Sequence, residues 1–470
     1  MMFRLGEAQG WIEGARLVGD ASYPVERVCT DSRKAKPGDL FVPLLGERFD
    51  AHAFIGQVIG AGVRAVLSAQ SLSPDALIDG EVQRGVIHGL QVPDTTRALQ
   101  QLAAGWRRRF VLPVIAVTGS NGKTTVKEMI ASILRVAYGE DALASEGNLN
   151  NGFGVPMSVL RLRASHRAAV FELGINQVGE MDQLCPIAQA NVVLVNNAQR
   201  EHQEFLHGVE ASARENGAAI SHLPAGGIAV FPGDDPCAAI WQSLAGDRRC
   251  ICFGWHDHWP VHAIDLGATS FRLHSHGDEA LVRLRIAGRH NLRNAMAAAA
   301  CCHAIGIRLE HIVQGLEQFE AVGGRLRQIP LHAQALLIDD SYNANPDSVR
   351  AAIDVLAGMP GERMLVLGDM GEVGAQGDAF HHEVGVYARS CGIDQMWLLG
   401  EATEHSARGF GDKAKYFEGD LQQLIQSLAQ ALRPDRLAKK AIVLIKGSRF
   451  MAMERVVKAL TEDPEARVLH

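Results

Sequence analysis

Short apolar runs alternate with amphipathic helical segments along most of this 470-residue chain. The runs are rich in Val, Ile and Leu, are too short for helices, and end at polar or glycine-containing loops. This pattern is typical of buried parallel strands separated by helices, as in a doubly wound α/β sheet. The strands predicted in this way are 114–118, 168–172, 191–196, 227–231, 335–338, 363–367, 395–399 and 441–445.

Departures from this pattern indicate how the chain is divided. Residues 1–85 hold shorter runs broken by Gly and Pro, and a helix with Asp94 as its cap is predicted to run to about Arg109. Residues 250–287 alternate in the manner of antiparallel strands. Gly323 and Gly324 look like a hinge between two sets of strands and helices, and the length suggests about three domains.

One predicted strand ends in a loop with the chemistry of a phosphate site. The stretch 114–125 reads Val-Ile-Ala-Val-Thr-Gly-Ser-Asn-Gly-Lys-Thr-Thr, and apolar residues at helical spacing follow it. Gly119 and Gly122 let the backbone turn its N–H groups into one concavity at a helix N-terminus, which favours phosphate. Lys123 supplies a mobile positive charge, and Thr124 a hydroxyl for magnesium.

The spacing of this loop departs from the common P-loop. Two residues separate the first glycine from the Gly-Lys pair, where the common pattern has four. The alternative is a glycine-rich turn without a ligand, and the run Gly-Lys-Thr-Thr at the helix start disfavours it. We therefore predict a site for a nucleotide triphosphate.

Composition excludes several classes of function. The formal net charge of −7, from 46 basic and 53 acidic residues, argues against a nucleic-acid binder with a basic face. The eight cysteines have no paired CxxC spacing, which favours reduced thiols in a cytosolic protein. The N-terminus lacks the apolar core of a signal peptide, and no window approaches about 18 uninterrupted apolar residues, so no membrane span is expected.

Four more side chains are candidates for chemistry. Glu172 ends a predicted strand and could hold magnesium, although a solvated strand end is the simpler interpretation. His202 follows the next strand, where a lone loop histidine is usually polar surface. Asn291 and Asn294 share one face at a helix entrance, where they could contact adenine or cap the helix.

Polar loops also follow three strands of the second set. The stretches 339–346, 368–372 and 446–449 hold acids, amides and hydroxyls directly after apolar runs, and acids in that position often bind ribose. Three such loops at one sheet edge favour a ligand crevice over simple turns. A separate histidine cluster at 256, 258 and 262 has no matching carboxylate or Cys set, so metal binding there is disfavoured.

Taken in order, these motifs resemble the Mur ligase family, the ATP-dependent amino-acid ligases of cell-wall precursor synthesis. The resemblance covers nearly the whole chain, and the stretches 340–348 and 367–372 are most similar to the member that acts last in that pathway. That member joins D-alanyl-D-alanine to UDP-N-acetylmuramoyl-tripeptide. The Asp-Asn-Pro-Arg signature of the preceding enzyme is absent. The motifs that carry the resemblance are 118–125, Glu172, His202, Gly288, His290, Asn291, Asn294 and Gly324–Arg325.

The resemblance implies three domains and a set of substrates. An N-terminal domain (1–88) would hold the UDP part, a central domain (89–323) would bind ATP at the P-loop, and a Rossmann-like domain (324–470) would close over it. The family reaction phosphorylates a carboxylate to an acyl phosphate, which the incoming amine then attacks. ATP as co-substrate, Mg²⁺ as cofactor, a cytoplasmic location and a monomer are expected.

The resemblance also assigns roles to residues of this chain. The catalytic set is Lys123, Glu172, His202 and Arg325, and the metal ligands are Thr124, Glu172 and His202. The ATP contacts are Gly119, Ser120, Asn121, Gly122, Lys123, Thr124, Thr125, Asn291, Asn294, Arg325 and Asp340. The substrate contacts are Ser32, Arg33, Asn150, Asn151, Tyr342, Lys446 and Ser448.

One family position departs from its usual residue. Family members usually carry a lysine in the helix after the histidine, and in several of them it is carbamylated to support a magnesium ion. Asn216 occupies that position here, and an asparagine cannot be carbamylated. Glu215, one residue earlier, is the hypothetical replacement for that carboxylate.

Two other functions stay open on the sequence. One is a related ligase with another acceptor, such as a diaminopimelate- or lysine-adding enzyme or a folylpolyglutamate synthase. The absent Asp-Asn-Pro-Arg signature and the uridine-side motif at Ser32 and Arg33 count against these acceptors. The other is a P-loop ATPase that acts on a macromolecular partner, although three domains with separate polar loops suit multi-substrate chemistry better.

Overall fold

A computed structural model describes residues 1–46, 50–72, 87–267 and 269–462. Within these residues the strands form sheets of two, five, nine and six strands, and the three larger ones follow one another along the chain. Helices pack around these sheets, so the predicted α/β class with three domains is confirmed. None of the described helices is long and apolar enough to cross a bilayer.

The N-terminal sheet has the order β2-β7-β6-β5-β4, with β4 to β7 parallel and β2 antiparallel at one edge. The predicted boundary between residues 88 and 89 falls at the start of β7. Because β7 pairs with β6 and β2, we propose that this domain extends through Gln91. Its elements are β1 (Phe3–Arg4), α1 (Leu5–Gln9), β2 (Arg16–Val18), β3 (Pro24–Val25), β4 (Arg27–Cys29), β5 (Asp39–Phe41), α2 (Ile55–Gly60), β6 (Ala65–Ser68) and β7 (His88–Gln91).

The central sheet has the order β16-β15-β14-β13-β12-β11-β8-β10-β9. The adjacent strands β11, β8 and β10 are buried along their whole length, which explains their largely apolar sequence. The elements are α3 (Thr95–Arg107), β8 (Val114–Thr118), α4 (Lys123–Tyr138), β9 (Ala142–Ala144), α5 (Gly154–Val159), β10 (Ala168–Glu172), α6 (Glu180–Ala188), β11 (Val192–Val195), α7 (Gln203–Leu206), α8 (Val209–Ser221), β12 (Ile228–Pro232), α9 (Ala238–Ala245), β13 (Arg249–Gly254), β14 (Val261–Gly267), β15 (Ser270–Ser275), β16 (Asp278–Arg283), α10 (Arg289–Ala304) and α11 (Leu309–Gln318).

The antiparallel prediction for residues 250–287 is right for one part and wrong for another. Strands β14, β15 and β16 are antiparallel, as predicted. Strand β13, however, pairs parallel with β12 and with β14. Its Ile251 and Phe253 are buried whereas Cys250 and Cys252 are only partly buried, so the alternation reports exposure and not strand direction.

The C-terminal sheet has the order β17-β18-β22-β19-β20-β21, parallel except for β17. Because β18, β22 and β19 are adjacent, the polar loops that follow them lie at one edge, as predicted. Residues 463–470 of the predicted domain lie outside the described residues. The elements are β17 (Arg327–His332), β18 (Ala335–Asp340), α12 (Pro346–Ala357), β19 (Glu362–Gly368), α13 (Gly377–Ser390), β20 (Gln395–Leu399), α14 (Thr403–Phe410), β21 (Ala414–Tyr416), α15 (Leu421–Ala431), β22 (Ala441–Lys446) and α16 (Glu454–Glu462).

Local chemistry explains where key helices start and how they pack. The side chain of Asp94 accepts hydrogen bonds from the backbone N–H groups of Thr96 and Arg97, which confirms the predicted cap of α3. Helix α11 packs on α4, the helix that begins at the P-loop, and Ser132 Oγ donates to the Gly315 carbonyl at 2.7 Å. The P-loop helix is thereby held against α11 in its second half.

Gly315→Ala should destabilise this helix contact. A Cβ at residue 315 would lie 2.4 Å from Ile133 Cα, and a backbone atom cannot move aside cheaply. We expect a loss of about 1–3 kcal/mol, seen as a fall of several degrees in the thermal unfolding midpoint. Gly56→Ala in α2 is the matched control, since no atom lies within 4 Å of its Cβ position. An unchanged midpoint for Gly315→Ala would contradict the packing described.

Candidate active site

The P-loop is a tight turn that only glycine fits at two positions. Gly119 and Gly122 have φ values of +120° and +80°, in the left-handed region. A Cβ at Gly119 would lie 2.9 Å from Asn196 N, and one at Gly122 would lie 2.7 Å from Asn294 Oδ1. The two glycines are therefore required both for the backbone angles and for close packing against neighbouring loops.

Three amides of the loop are already paired with the protein. Gly119 N donates to Asn216 Oδ1 at 2.9 Å, Ser120 N to the Asn197 carbonyl at 3.1 Å, and Asn121 N to Asn197 Oδ1 at 2.9 Å. These amides thus have acceptors within the protein. The N–H groups of the first turn of α4 have no intrahelical acceptors and carry the positive end of the helix dipole. That turn is where an anion would bind most favourably.

Lys123 lies at the start of this helix and is folded back on the loop. Its Nζ donates to the carbonyls of Gly119 at 2.6 Å and Ser120 at 3.1 Å, and it pairs with Glu201 Oε2 at 3.3 Å. Glu201 is buried, and its other oxygen accepts from Asn216 Nδ2 at 2.8 Å. Glu201 is a site residue that the sequence motifs did not predict, although it directly precedes His202.

Asn216 is a structural anchor of the loop. It is fully buried, accepts from Thr118 Oγ1 and Gly119 N, and donates to Glu201 and the Ser212 carbonyl. The hypothesis that Glu215 supplies a carboxylate to the site is wrong, because the Glu215 side chain lies elsewhere. Glu215 Oε1 instead accepts from the Met181 N–H at the start of α6, and its side chain does not line the cavity.

Glu172 ends β10 beside the P-loop helix. Its Oε1 accepts from Thr124 Oγ1 at 3.2 Å and from Asn150 Nδ2 at 2.8 Å. Its Oε2 is buried without a hydrogen-bond partner. A buried, unpartnered carboxylate oxygen is costly, and a hard cation would satisfy it. Arg325 Nη2 also donates to Thr124 Oγ1, at 2.9 Å, so a guanidinium from the C-terminal domain reaches the same hydroxyl.

His202 faces the C-terminal domain across the cavity. Its backbone is left-handed, at φ +44°, and its Nδ1 lies 2.5 Å from Glu372 Oε2. The two groups are close, but their angles are poor for a hydrogen bond, so Nδ1 keeps no well-aligned partner. The nearby imidazole lowers the pKa of the Glu372 carboxyl. Glu372 is a second site residue for which the sequence predicted only a place in a polar loop.

Asn291 and Asn294 belong to a buried amide network, and the alternative that they cap a helix is wrong. The N-cap of α10 is Gly288, and Asn291 Nδ2 donates back to the Ala287 carbonyl at 2.7 Å. Asn294 Nδ2 donates to Asn291 Oδ1, and Asn294 Oδ1 accepts from Asn196 Nδ2 at 3.0 Å. The network connects α10 to the loop after β11.

The C-terminal domain contributes a second charged pair. Lys446 Nζ donates to Asp340 Oδ2 at 2.6 Å and to the Asn343 carbonyl at 2.9 Å. Burial raises the pKa of Asp340, and the charge of Lys446 opposes that rise. The Arg325 guanidinium lies 4.3 Å from the centre of the Tyr342 ring. These groups face the P-loop from the opposite domain.

A cavity of about 860 Å³ lies between the central and C-terminal sheets. Ser32 and Arg33 do not line it: they lie in the N-terminal domain, where Arg33 is largely exposed and pairs with Asp31. Gly119 and Ser448 do not line it either; Ser448 Oγ instead joins two loops by donating to the Ala344 carbonyl and accepting from Gly371 N. The predicted residues that line it are Ser120, Asn121, Gly122, Lys123, Thr124, Thr125, Asn150, Asn151, Glu172, His202, Asn291, Asn294, Arg325, Asp340, Tyr342 and Lys446.

The histidines at 256, 258 and 262 divide between two separate stacked pairs. Among the described residues, no group of three His, Cys, Asp or Glu side chains is arranged to hold a metal ion by itself. His262 stacks on His274 and not on His256 or His258.

Comparison with known proteins follows the same division of the chain. A profile described as "Mur ligase family, catalytic domain" matches residues 24–107, "Mur ligase middle domain" matches 117–302, and "Mur ligase, glutamate ligase domain" matches 324–449. Fold and site together define a three-domain P-loop ligase. The chain belongs to the Mur ligase family.

Similar proteins cover nearly the full length. The UDP-N-acetylmuramoyl-tripeptide–D-alanyl-D-alanine ligase of Escherichia coli K12 is 39% identical over 97% of this chain and 96% of its own. That of Bacillus subtilis 168 is 34% identical over 94% of each. A crystal structure of MurF from Acinetobacter baumannii is 36% identical, with a TM-score of 0.88 over 98% of this chain and 99% of that one. MurF from Thermotoga maritima in complex with ADP is 25% identical, with a TM-score of 0.80 over 94% of this chain and 98% of that one.

His290 should make the stability of the chain depend on pH. His290 is partly buried at the edge of the cavity, and its desolvation, together with the positive charge of Lys446, lowers the pKa of this histidine to about 4. The unfolded chain takes up this proton near pH 6.5, so the stabilisation is complete above that pH and is lost as the pH falls towards 4. In the wild type, this histidine should lower the free energy of unfolding by at most about 3 kcal/mol between pH 7 and pH 4, and His290→Gln should remove that decrease.

Urea unfolding at pH 7, 5.5 and 4 tests this expectation. The difference between wild type and His290→Gln should change with pH, whereas His256→Gln, on an exposed loop, should follow the wild type at all three values. Parallel curves for wild type and His290→Gln would show that the ring is not kept neutral in the folded state.

Proposed function

We propose that this chain joins D-alanyl-D-alanine to UDP-N-acetylmuramoyl-tripeptide with cleavage of ATP to ADP and phosphate. The product is the UDP-muramoyl-pentapeptide of peptidoglycan synthesis. The observation that carries the proposal is that relatives at 39%, 36% and 34% identity over nearly the whole chain are all ligases named for this reaction. The cavity between the P-loop and the C-terminal domain provides a place for it.

The reaction needs two successive displacements. A carboxylate oxygen of the tripeptide attacks the γ-phosphorus of ATP, the bond to the β-phosphate oxygen breaks, and an acyl phosphate and ADP result. The amine of the dipeptide then attacks the acyl carbon, phosphate leaves, and the nitrogen loses a proton. Charge spreads over the transferred phosphoryl group in the first step, so positioned cations and amides lower its barrier.

Lys123 is the cation best placed for this task. Two of its three contacts are to neutral carbonyls, which a phosphate would replace with a stronger charge-assisted interaction. Glu201, which also lines the cavity, pairs with the same ammonium group. Arg325 reaches Thr124 from the other domain and would add positive charge on the opposite side.

Mg²⁺ fits the donor set beside the P-loop. The unpartnered Glu172 Oε2 and the Thr124 hydroxyl offer hard oxygen ligands, and Mg²⁺ commonly takes its remaining ligands from water and substrate phosphates. When bound, the ion would neutralise phosphate charge. His202 is proposed for a second site. Glu372 lies against its Nδ1, as carboxylates often do beside metal-binding histidines.

The remaining contacts follow the resemblance and stay proposals. Asn291 and Asn294 would contact adenine, Asp340 the ribose, and Ser32 and Arg33 the uridine side. Asn150 and Asn151, with Tyr342, Lys446 and the loop held by Ser448, would contact the peptide substrates. We further propose domains 92–323 and 324–470, a monomer, and a cytoplasmic location, which the eight unpaired cysteines favour.

A phosphate-release panel tests the proposed reaction. Phosphate should appear only when ATP, the UDP-muramoyl-tripeptide and D-alanyl-D-alanine are all present. Free amino acids, diaminopimelate or glutamate in place of the dipeptide should give no release above background. Release with any amino acid would reject the dipeptide assignment, and release stimulated by a macromolecule alone would favour an ATPase.

Lys123→Ala is the catalytic control for this panel. We expect turnover to fall by at least about 100-fold, since one preorganised charge contact is removed from the transition state. Its circular dichroism spectrum should match the wild type, because the side chain contributes little to core packing.

Glu172→Gln should weaken the response to magnesium. We expect the Mg²⁺ concentration for half-maximal activity to rise about 10–100-fold, as for other disturbances of a metal site. Calorimetry should show the same variant binding ATP without magnesium normally. Glu215→Gln is the matched control, because it changes a buried carboxylate outside the cavity. Equal magnesium dependence in both variants would remove Glu172 from the proposed site.

A further inference from the structure

Four consecutive residues after β11 have partners in two different domains. Gln199 contacts the P-loop, with its Oε1 accepting from Asn121 Nδ2 at 2.6 Å. Glu201 also contacts the P-loop, through Lys123. The other two residues, Arg200 and His202, contact the C-terminal domain instead, through Asp347 and Glu372. The segment 199–202 therefore alternates between the two walls of the cavity.

Arg200 makes the most extensive of these contacts. Its Nη2 lies 2.6 Å from Asp347 Oδ1, and its Nη1 lies 2.8 Å from Glu383 Oε2. Its Nε also donates to Asp347, and its backbone N–H donates to Asp347 Oδ2 at 2.9 Å. The guanidinium lies 5.0 Å from the centre of the Phe380 ring. Both main chain and side chain at residue 200 are thus bonded to the C-terminal domain.

The interaction of Arg200 with Asp347 and Glu383 differs from an ordinary surface salt bridge. The Arg200 side chain is only 20% exposed, and Asp347 and Glu383 are 23% and 33% exposed. Surface pairs contribute little, but a planar guanidinium shared by two carboxylates has fixed geometry and reduced solvation. Asp347 lies in the first turn of α12, whose cap residue Asn345 donates to Asn121 of the P-loop at 2.9 Å.

Motion at Arg200 must reach the P-loop because the chain is covalently continuous. Neighbouring Cα atoms are about 3.8 Å apart, so Arg200 cannot shift by much without moving Glu201 and His202. Glu201 is the counter-ion of Lys123 and also holds Asn216, which anchors the loop amide of Gly119. Two neighbouring residues therefore connect the C-terminal domain to the Lys123 ammonium group: Arg200 pairs with Asp347 of that domain, and Glu201 pairs with Lys123.

We propose that Arg200 is a positioning residue that couples docking of the C-terminal domain to the arrangement of the P-loop. The inference rests on the proposed function, because ligation is the activity that the coupling serves. Arg200 touches no reacting atom; it acts through Glu201 and His202. Docking of the C-terminal domain thereby sets the position of the groups that we propose act on ATP.

Arg200→Met tests the coupling, since methionine keeps the packing on Phe380 and removes the charge. We expect kcat/KM for D-alanyl-D-alanine to fall about tenfold or more, in the range of ordinary intersite coupling. The affinity for a non-hydrolysable ATP analogue without other substrates should fall less than kcat/KM does, because Arg200→Met retains every proposed ATP contact. Small-angle scattering should give a larger radius of gyration for Arg200→Met than for the wild type.

Arg350→Met is the matched control. Arg350 also pairs with Glu383, at 2.8 Å, but both residues lie in the C-terminal domain. It should keep kcat/KM within about twofold of the wild type and leave the scattering curve unchanged. Asp347→Asn, a milder change, should reproduce part of the Arg200→Met loss. In the double variant Arg200→Met/Asp347→Asn, the loss of kcat/KM should be smaller than the two single losses combined, because both substitutions remove the same interaction.

Each failure has a distinct signature. Equal losses in Arg200→Met and Arg350→Met, or strictly additive losses with Asp347→Asn, would overturn the coupling. A loss confined to the affinity for the ATP analogue would also overturn it. Wild-type protein without dipeptide-dependent phosphate release would refute the proposed function, while the scattering comparison would still decide whether Arg200 holds the domains together.

Discussion

The phosphate-binding loop keeps its shape because its first amides are hydrogen-bonded to the protein before any ligand arrives. Asn216 and Asn197, from α8 and the loop after β11, hold the N–H groups of residues 119 to 121. An anion would therefore depend on the first turn of α4, where the helix leaves its amides without acceptors. This explains how a loop with only two residues between the glycines can serve as a phosphate site. Because Asn216 belongs to α8, the position of that helix also determines the shape of the loop.

The cations of the cavity are paired internally, and this shapes how substrates would bind. Lys123 pairs with Glu201, Lys446 with Asp340, and Arg325 lies on the Tyr342 ring. A buried charge without a partner would be strongly destabilising, so each cation has a local counter-ion or π-surface. Anionic substrates would then exchange partners with these groups and would not enter a region of bare positive charge. The carbonyl contacts of Lys123 are the easiest to exchange.

Residue patterns predicted more of the fold than of the site. The apolar runs at 114–118 and 168–172 and the Asp94 cap agree with the structure because burial and capping are local in sequence. The direction of β13 was predicted wrongly, because alternation reports which faces are buried and not which neighbour a strand pairs with. Glu215 and Asn216 are adjacent in sequence, yet successive helix residues point about 100° apart. One therefore anchors the P-loop and the other supports α6.

By itself, the amino-acid sequence determined the three-part α/β order, the P-loop and the resemblance to Mur ligases, because these depend on short runs and fixed spacings. Only the tertiary structure decided that Glu201 holds Lys123, that Glu372 faces His202, and that Arg200 joins two domains. Each of these contacts joins groups on separate elements or domains, and their approach depends on how sheets and helices pack. The sequence motif thus predicts the P-loop, whereas the packing of the domains determines which partners hold and orient it.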